Sequence, residues 1–445
     1  MTGTGRIGSA LLAAGIALAV GSWCGAARAA GDTVDWKRFN GQTITFLSSN
    51  HPWAQAVLKR LDQFTELTGI KLRVDTFQEA QMRDRLMTVL QSRSSDVDLF
   101  MSLKSREGLL FANAGWYADL RPLVNDPKLT ASSYDLADFS PALLKAEEFK
   151  GKLAGIPLNI EGPVLYLRKD IFARCKLAEP TALAQLPDIA AKLKACDPSI
   201  TPFVSRGAKG ALAYTFSNFL HNLGGDYFDA AGKSNLCSAP GKQALQLYAD
   251  LLKNYGPPGV VNYSFLQIRE MYGQGRAAMA FESSNEFGPI MQFPGRTKDS
   301  DVTLLPPGPG GVSRPTVIGW GISMSAFSQD QGPTWYFIQW ATSPAMQTAL
   351  ALDGIAPPRV SIANSAEYKA WLAAEPVRQE WSKSLDTMAR TGTSEVGPPM
   401  EQQPEARDIL GDELQQMILG QVNADQACAA ADKQIDALVV REQHH

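Results

Sequence analysis

A strand–helix–strand–helix–strand alternation over residues 43–101 constrains this chain more than any other feature. Thr43 to Leu47 (TITFL) is a short apolar run of the kind buried in a parallel sheet. Ala54, Val57, Leu58, Leu61, Phe64 and Leu67 then recur at helical spacing over residues 54–68. Gly69 stops that helix, and Ile70 to Val74 is a second strand. A helix over 81–91 and a strand from Val97 to Met101 follow. Parallel strands need a crossover, and a helix supplies one, so this is the sequence form of an open α/β sheet. The grammar returns after residue 155. Ile156-Pro157 leads into a strand over Pro163–Leu167, and helical stretches cover 183–195, 211–223 and 242–254. Pro306 to Gly311 is a loop.

Two such α/β units fit a chain of 445 residues. The composition is that of a globular protein, 45% hydrophobic and 20% charged. The net charge of −3 and a pI near 5.9 argue against a nucleic-acid partner. Residues 1–29 read as a secretory signal peptide: Arg6 in the n-region, an apolar run from Ile7 to Val20, and Ala27-Arg28-Ala29 before the cut. Cleavage after Ala29 removes Arg6 and Arg28 and takes the charge from −3 to −5. An exported, periplasmic chain follows.

Cysteine usage agrees. Cys24 leaves with the signal, and Cys175, Cys196, Cys237 and Cys428 remain. Four cysteines in an oxidising compartment permit two disulfides in three connectivities. Cys175 ends one short helix and Cys196 the next, which favours a Cys175–Cys196 bridge with Cys237–Cys428 as the second. Their spacing is not that of a metal site, and no histidine accompanies them, so no metal is expected.

The order of short motifs resembles the extracellular solute-binding proteins of ABC importers, in the sugar-binding, maltose-binding-like branch. Phe64 to Leu72 (FTELTGIKL), Asp96 to Phe100 (DVDLF) and Ala114 to Leu120 (AGWYADL) are the first three. Gly151 to Pro157 (GKLAGIP) with Leu165 to Asp170 (LYLRKD), Gly273 to Met279 (GQGRAAM) and Gly354 to Arg359 (GIAPPR) complete the set. The resemblance covers nearly the whole chain after the signal. It implies a two-lobed periplasmic-binding-protein fold (type II), each lobe a mixed sheet flanked by helices, with the ligand cleft between lobes. It places the crossings near 161, 282 and 326. The first lobe is then 36–160 plus 283–325, and the second 161–282 plus 326–445. Ile160-Glu161-Gly162-Pro163, short and with one free glycine, suits a hinge.

A sugar needs hydroxyl partners and flat apolar faces, so its site should mix carboxylates, amides and aromatics at strand ends. After the first strand come Asn50, His51 and Trp53, with the alternative that Asn50 caps a helix and Trp53 is core. After the third come Ser102 and Lys104, with Arg106 beyond; Lys104 or Arg106 would suit an acidic sugar. The resemblance puts Glu161 at a ligand carboxylate position and Tyr214 at a sugar-contacting aromatic. Asn218 shares the Tyr214 helix, whereas Phe216 and Phe219 on it read as core. Glu282 and Asn285 lie at the second crossing, Trp320 between Gly319 and Gly321 is a stacking platform, and Arg359 reaches the cleft from the second lobe. The loss of family aromatics near 102–106 and at Asn285 points to a small sugar, polyol or glycoside rather than a long glucan.

Other classes lack their signatures. Only His51, His221, His444 and His445 are present, and no Gly-x-Ser-x-Gly or His-Glu-x-x-His occurs. Gly232-Lys233-Ser234 lacks the earlier glycine of a phosphate loop; Tyr227 stands there. Glu161 and Glu282 in an opening cleft would not keep a glycosidase spacing. The expectation is a binding protein, not an enzyme, without cofactor, monomeric, and partnered by importer transmembrane subunits. A non-sugar solute such as a polyamine is the alternative.

Overall fold

The computed structural model describes residues 34–443; the expected signal segment 1–29 and the His444–His445 pair lie outside them. The chain builds two mixed sheets. The first runs in the order Lys71–Phe77, Thr43–Ser49, Leu99–Ser102, Gly321–Met324, Ile156–Pro157. Its first three strands are parallel, as the alternation demands, and Gly321–Met324 enters antiparallel. The second runs Ser300–Thr303, Pro163–Arg168, Ala277–Ser283, Thr201–Val204. Helices cover both sheets, so the α/β two-lobed expectation holds.

Strand periodicity sets the cores. In Pro163–Arg168, Leu165 and Leu167 face one core of the second lobe, and Val164 and Tyr166 the other. The first lobe has its own core of Phe46, Trp53, Phe64, Phe100, Trp335 and Phe337. The helix expected over 54–68 is two, Pro52–Leu58 and Leu61–Thr68. It breaks where Arg60 turns to donate to the Ala56 carbonyl at 2.9 Å and to Asp353 at 2.8 Å. Gly69 at φ 73° closes the second piece in the left-handed cap its position predicts. The disulfides are Cys175–Cys196 and Cys237–Cys428.

The expected lobe boundaries need correction after residue 283. Ser300–Thr303 pairs with Pro163–Arg168, and Phe287 and Ile290 pack in the second lobe's core. The chain returns to the first sheet only at Thr316–Gly321. The helices Gln331–Ala341 and Pro344–Leu352 then stay with the first core instead of passing to the second lobe at 326. Apolar packing decides this, because Trp335, Phe337 and Leu350 complete the surface that Phe46 and Phe64 begin. At the first crossing, a Cβ on Gly162 would sit 2.2 Å from the Thr316 carbonyl and 2.4 Å from Met388 Sδ, so only glycine fits between the two connecting strands.

Candidate functional site

Between the lobes lies a cavity of about 20 Å³, room for a water or two, walled by charged and aromatic side chains. His51, Glu79, Leu103 and Trp320 come from the first lobe. Arg206, Tyr214, Phe265, Ser283, Asn285, Glu286 and Arg407 come from the second, and Glu161 and Ile318 from the connecting strands.

His51 caps the helix Pro52–Leu58. Its Nδ1 accepts the Trp53 N–H at 3.2 Å, which puts the proton of the neutral ring on Nε2. Nε2 lies 3.1 Å from Asn285 Nδ2 and 3.6 Å from Glu161; a proton on Nε2 calls for the flipped Asn285 amide, with its oxygen toward the ring. Glu161 is held by a paired backbone bridge to Ile318. Its carboxylate accepts from Asn159 Nδ2 at 2.9 Å and from the Tyr214 hydroxyl at 3.5 Å. Asn159 Oδ1 in turn accepts the Trp320 backbone N–H at 3.0 Å, so one amide ties the acid at the first crossing to the Trp320 backbone. The Trp320 ring lies 5.1 Å from His51 and under the Arg83 guanidinium at 5.2 Å.

Two buried guanidinium–carboxylate clusters face each other. In the first lobe, Arg83 donates to Glu79 at 2.9 Å and to Glu107, whose other oxygen accepts the Leu103 N–H at 2.7 Å. Burial alone would raise the Glu79 carboxyl, but Arg83, Arg206 and Arg106 outweigh it and hold the group at about 2. In the second lobe, Arg206 binds Glu282 through Nε at 2.9 Å and through Nη2, and its guanidinium covers the Tyr214 ring at 4.3 Å. Burial pushes the Glu286 carboxyl up to about 8, against Arg269, with Glu282 and Glu161 adding to the rise.

Of the residues expected at the site, His51, Glu161, Tyr214, Asn285 and Trp320 line this cavity. Glu282 lies behind it, bound to Arg206. The others are elsewhere. Trp53 is fully buried in the first core, the alternative reading of that loop, although His51 rather than Asn50 is the cap. Asn50 is half-buried and donates its backbone N–H to Phe77. Ser102 bonds the Tyr117 hydroxyl at 2.6 Å inside the first lobe. Lys104 is consumed by Glu147 and Ser323, both at 2.8 Å, and its ammonium sits over the Tyr117 ring at 4.7 Å. Gly321 serves that pair and not an approaching ligand: a Cβ there would meet the Glu147 carboxylate at 2.2 Å. Asn218 is spent on Thr316, donating at 2.8 Å and accepting at 3.0 Å. Arg359 is buried in the first lobe, where the carbonyls of Thr342, Asp135 and Tyr134 take its protons.

Sequence reasoning missed Glu79, Arg206, Glu286 and Arg407. Glu79 and Arg206 follow the C-terminal ends of Lys71–Phe77 and Thr201–Val204, where the strand-end rule points. Arg407, inside the helix Gln403–Ile418, has no local signal. A separate cluster brings His221, Asp226 and Glu395 together. There the His221 nitrogens face the Gly225 and Glu395 carbonyls at 3.2 and 3.1 Å, and Asp226 is bound by Arg314 at 2.8 Å.

Two lobes joined by short crossings, with a polar and aromatic cleft between, define a solute receptor. Residues 48–348 match the family of bacterial extracellular solute-binding proteins, and the chain belongs to it. It is 28% identical over 383 residues to a mannitol-binding protein of Pseudomonas aeruginosa, covering 82% of this chain and 85% of that one. It is 26% identical to an erythritol/L-threitol-binding protein of Mycolicibacterium smegmatis, covering 72% and 71%. Among solved structures, a solute-binding protein of Agrobacterium radiobacter in complex with ribitol superposes with a TM-score of 0.79 at 25% identity, over 90% of this chain and 99% of that one. One of Agrobacterium vitis with D-mannitol gives 0.80 at 22%, with the same coverage, a likeness of fold.

Proposed function

We propose that this protein is the substrate-capturing component of an ABC importer for a small open-chain polyol, bound in the cleft between His51, Glu161, Tyr214, Asn285 and Trp320. The observation that carries the reading is the density of polar groups lining the cleft, with the Trp320 and Tyr214 rings beside them; the lobes part to seat a ligand larger than the water-sized space between them. A flexible polyol has a hydroxyl on every carbon and little flat apolar surface, so it suits a site rich in acids and guanidinium groups and poor in open aromatic platforms. The polyol ligands named for two relatives and one solved structure support the same class. Among the described residues no helix is long and apolar enough to cross a membrane. The protein works as a periplasmic monomer after removal of residues 1–29, and closure of the lobes is what the importer reads. Catalysis has no part in this role.

A thermal-shift screen of residues 30–445 against tetritols, pentitols, hexitols, cyclic sugars and polyamines tests it. A ligand at about 100 times its Kd adds about 2.7 kcal/mol to the folded state. Polyols should raise the melting temperature, and Glu161→Ala should abolish the rise. A rise with polyamines alone would overturn the substrate class.

A further inference from the structure

Among the described residues, three guanidinium groups bordering the cleft each meet a carboxyl group, and Arg407 and Arg106 do not. Arg83 is bound by Glu79 and Glu107, Arg206 by Glu282, and Arg269 faces Glu286 at 3.5 Å. Arg407 lines the same cavity and is only 2% exposed, yet it forms no ion pair among the described residues. Its Nη2 donates to the Gly210 carbonyl at 3.4 Å, while Nε and Nη1 are buried without an acceptor. Arg106, from the opposite lobe, sends Nη1 to the same carbonyl at 3.3 Å, and its Nε also lacks an acceptor. Asp408, the next residue after Arg407, acts on both guanidinium groups through its charge, with no hydrogen bond to either among the described residues.

Burying a cation without a partner is costly. The strain is visible in both groups. Burial together with Arg106 and Arg83 pushes Arg407 down to about 9 against the pull of Glu79, and burial together with Arg83 pushes Arg106 down to about 10 against Glu107, Glu79 and Asp408. Glu286 faces Arg269 and its carboxyl is raised to about 8, so at lower pH it is protonated and adds little negative charge beside them. A neutral polyol would accept single hydrogen bonds from Arg407 and bring it no negative charge. An anionic group would accept two parallel N–H bonds and remove the cost.

We propose that the ligand is a polyol bearing one anionic group, a carboxylate or a phosphate, and that Arg407, with Arg106 facing it across the cleft, selects that group. This rests on the polyol reading of the cleft and adds a charge to it.

Calorimetric titration of the full protein with matched ligands tests it: ribitol against ribonate and ribitol 5-phosphate, and mannitol against mannonate. One of the anions should bind at least about tenfold tighter than its parent alditol, the ratio for one charge-assisted paired contact. The better anion tells carboxylate from phosphate. Arg407→Gln should shrink the ratio below about threefold, and Arg407→Lys, which keeps the charge but loses the paired donors, should retain only part of it. Alditols that bind the unmodified protein as tightly as both anions overturn the proposal without recourse to any variant. A preference that survives in a folded Arg407→Gln overturns it as well. If neither alditols nor their anions bind, the polyol reading fails and this inference fails with it, an outcome distinct from an alditol preference.

Discussion

Glu79 and Glu286 border one cavity and answer burial in opposite senses. Glu79, lowered from 4.5 to about 2, gives stability that is fully present above pH 4.5 and lost as pH falls through 2. Glu286, raised from 4.5 to about 8, gives stability present below pH 4.5 and lost as pH rises through 8, because the folded state holds the extra proton. Scanning calorimetry should show Glu286→Gln flattening the fall in melting temperature between pH 5 and 8, with no change below pH 4. A decline as steep as in the unmodified protein would refute the assignment. Glu282 tests a different term. Removing it leaves Arg206 buried beside Tyr214 without its carboxylate, so Glu282→Ala should cost about 3–5 kcal/mol in urea unfolding. At this scale the sequence was legible where a strand end or hinge marks a position, as at His51, Glu161 and Asn285. It misled where a long side chain had two directions open: Lys104 and Arg359 turned inward to carbonyls and Glu147 that lie far along the chain.

The elements around the cleft owe their placement to contacts distant in sequence. The helix Ala424–Gln443 is tied to Cys237 across 191 residues, while Cys175–Cys196 spans 21. Loop-closure entropy grows with span, so Cys237→Ala with Cys428→Ala should cost about 5 kcal/mol against about 3 for the short bridge. Melting of the two double variants under oxidising conditions measures the difference; equal losses would show that native-state packing and not chain entropy dominates. The paired helices Pro52–Leu58 and Leu61–Thr68 show the same dependence on distant partners, since the partner that breaks them, Asp353, is supplied by the far end of the lobe.

Across the whole molecule, the lobes meet through few direct bonds, among them Asn113 with Glu401 and Arg106 with Gly210. Such an interface opens at small cost and closes when a ligand adds contacts on both sides. Small-angle scattering should therefore show the radius of gyration falling when a binding polyol is added, and an unchanged radius would separate capture from closure. The sequence by itself determined the α/β class, the parallel run of the first three strands, the room for two disulfides and the first crossing at Glu161–Gly162, because period, turn chemistry and cysteine number are local properties, whereas the pairing of the cysteines was one of three open connectivities. Only the tertiary structure decided that residues 287–303 serve the second lobe and 331–352 the first, that Trp53 and Arg359 are interior, and that Arg407 faces the cleft without an acid. Those depend on which surfaces are left to cover and which charges are left to pair once both sheets have formed, and no window of the chain carries that information.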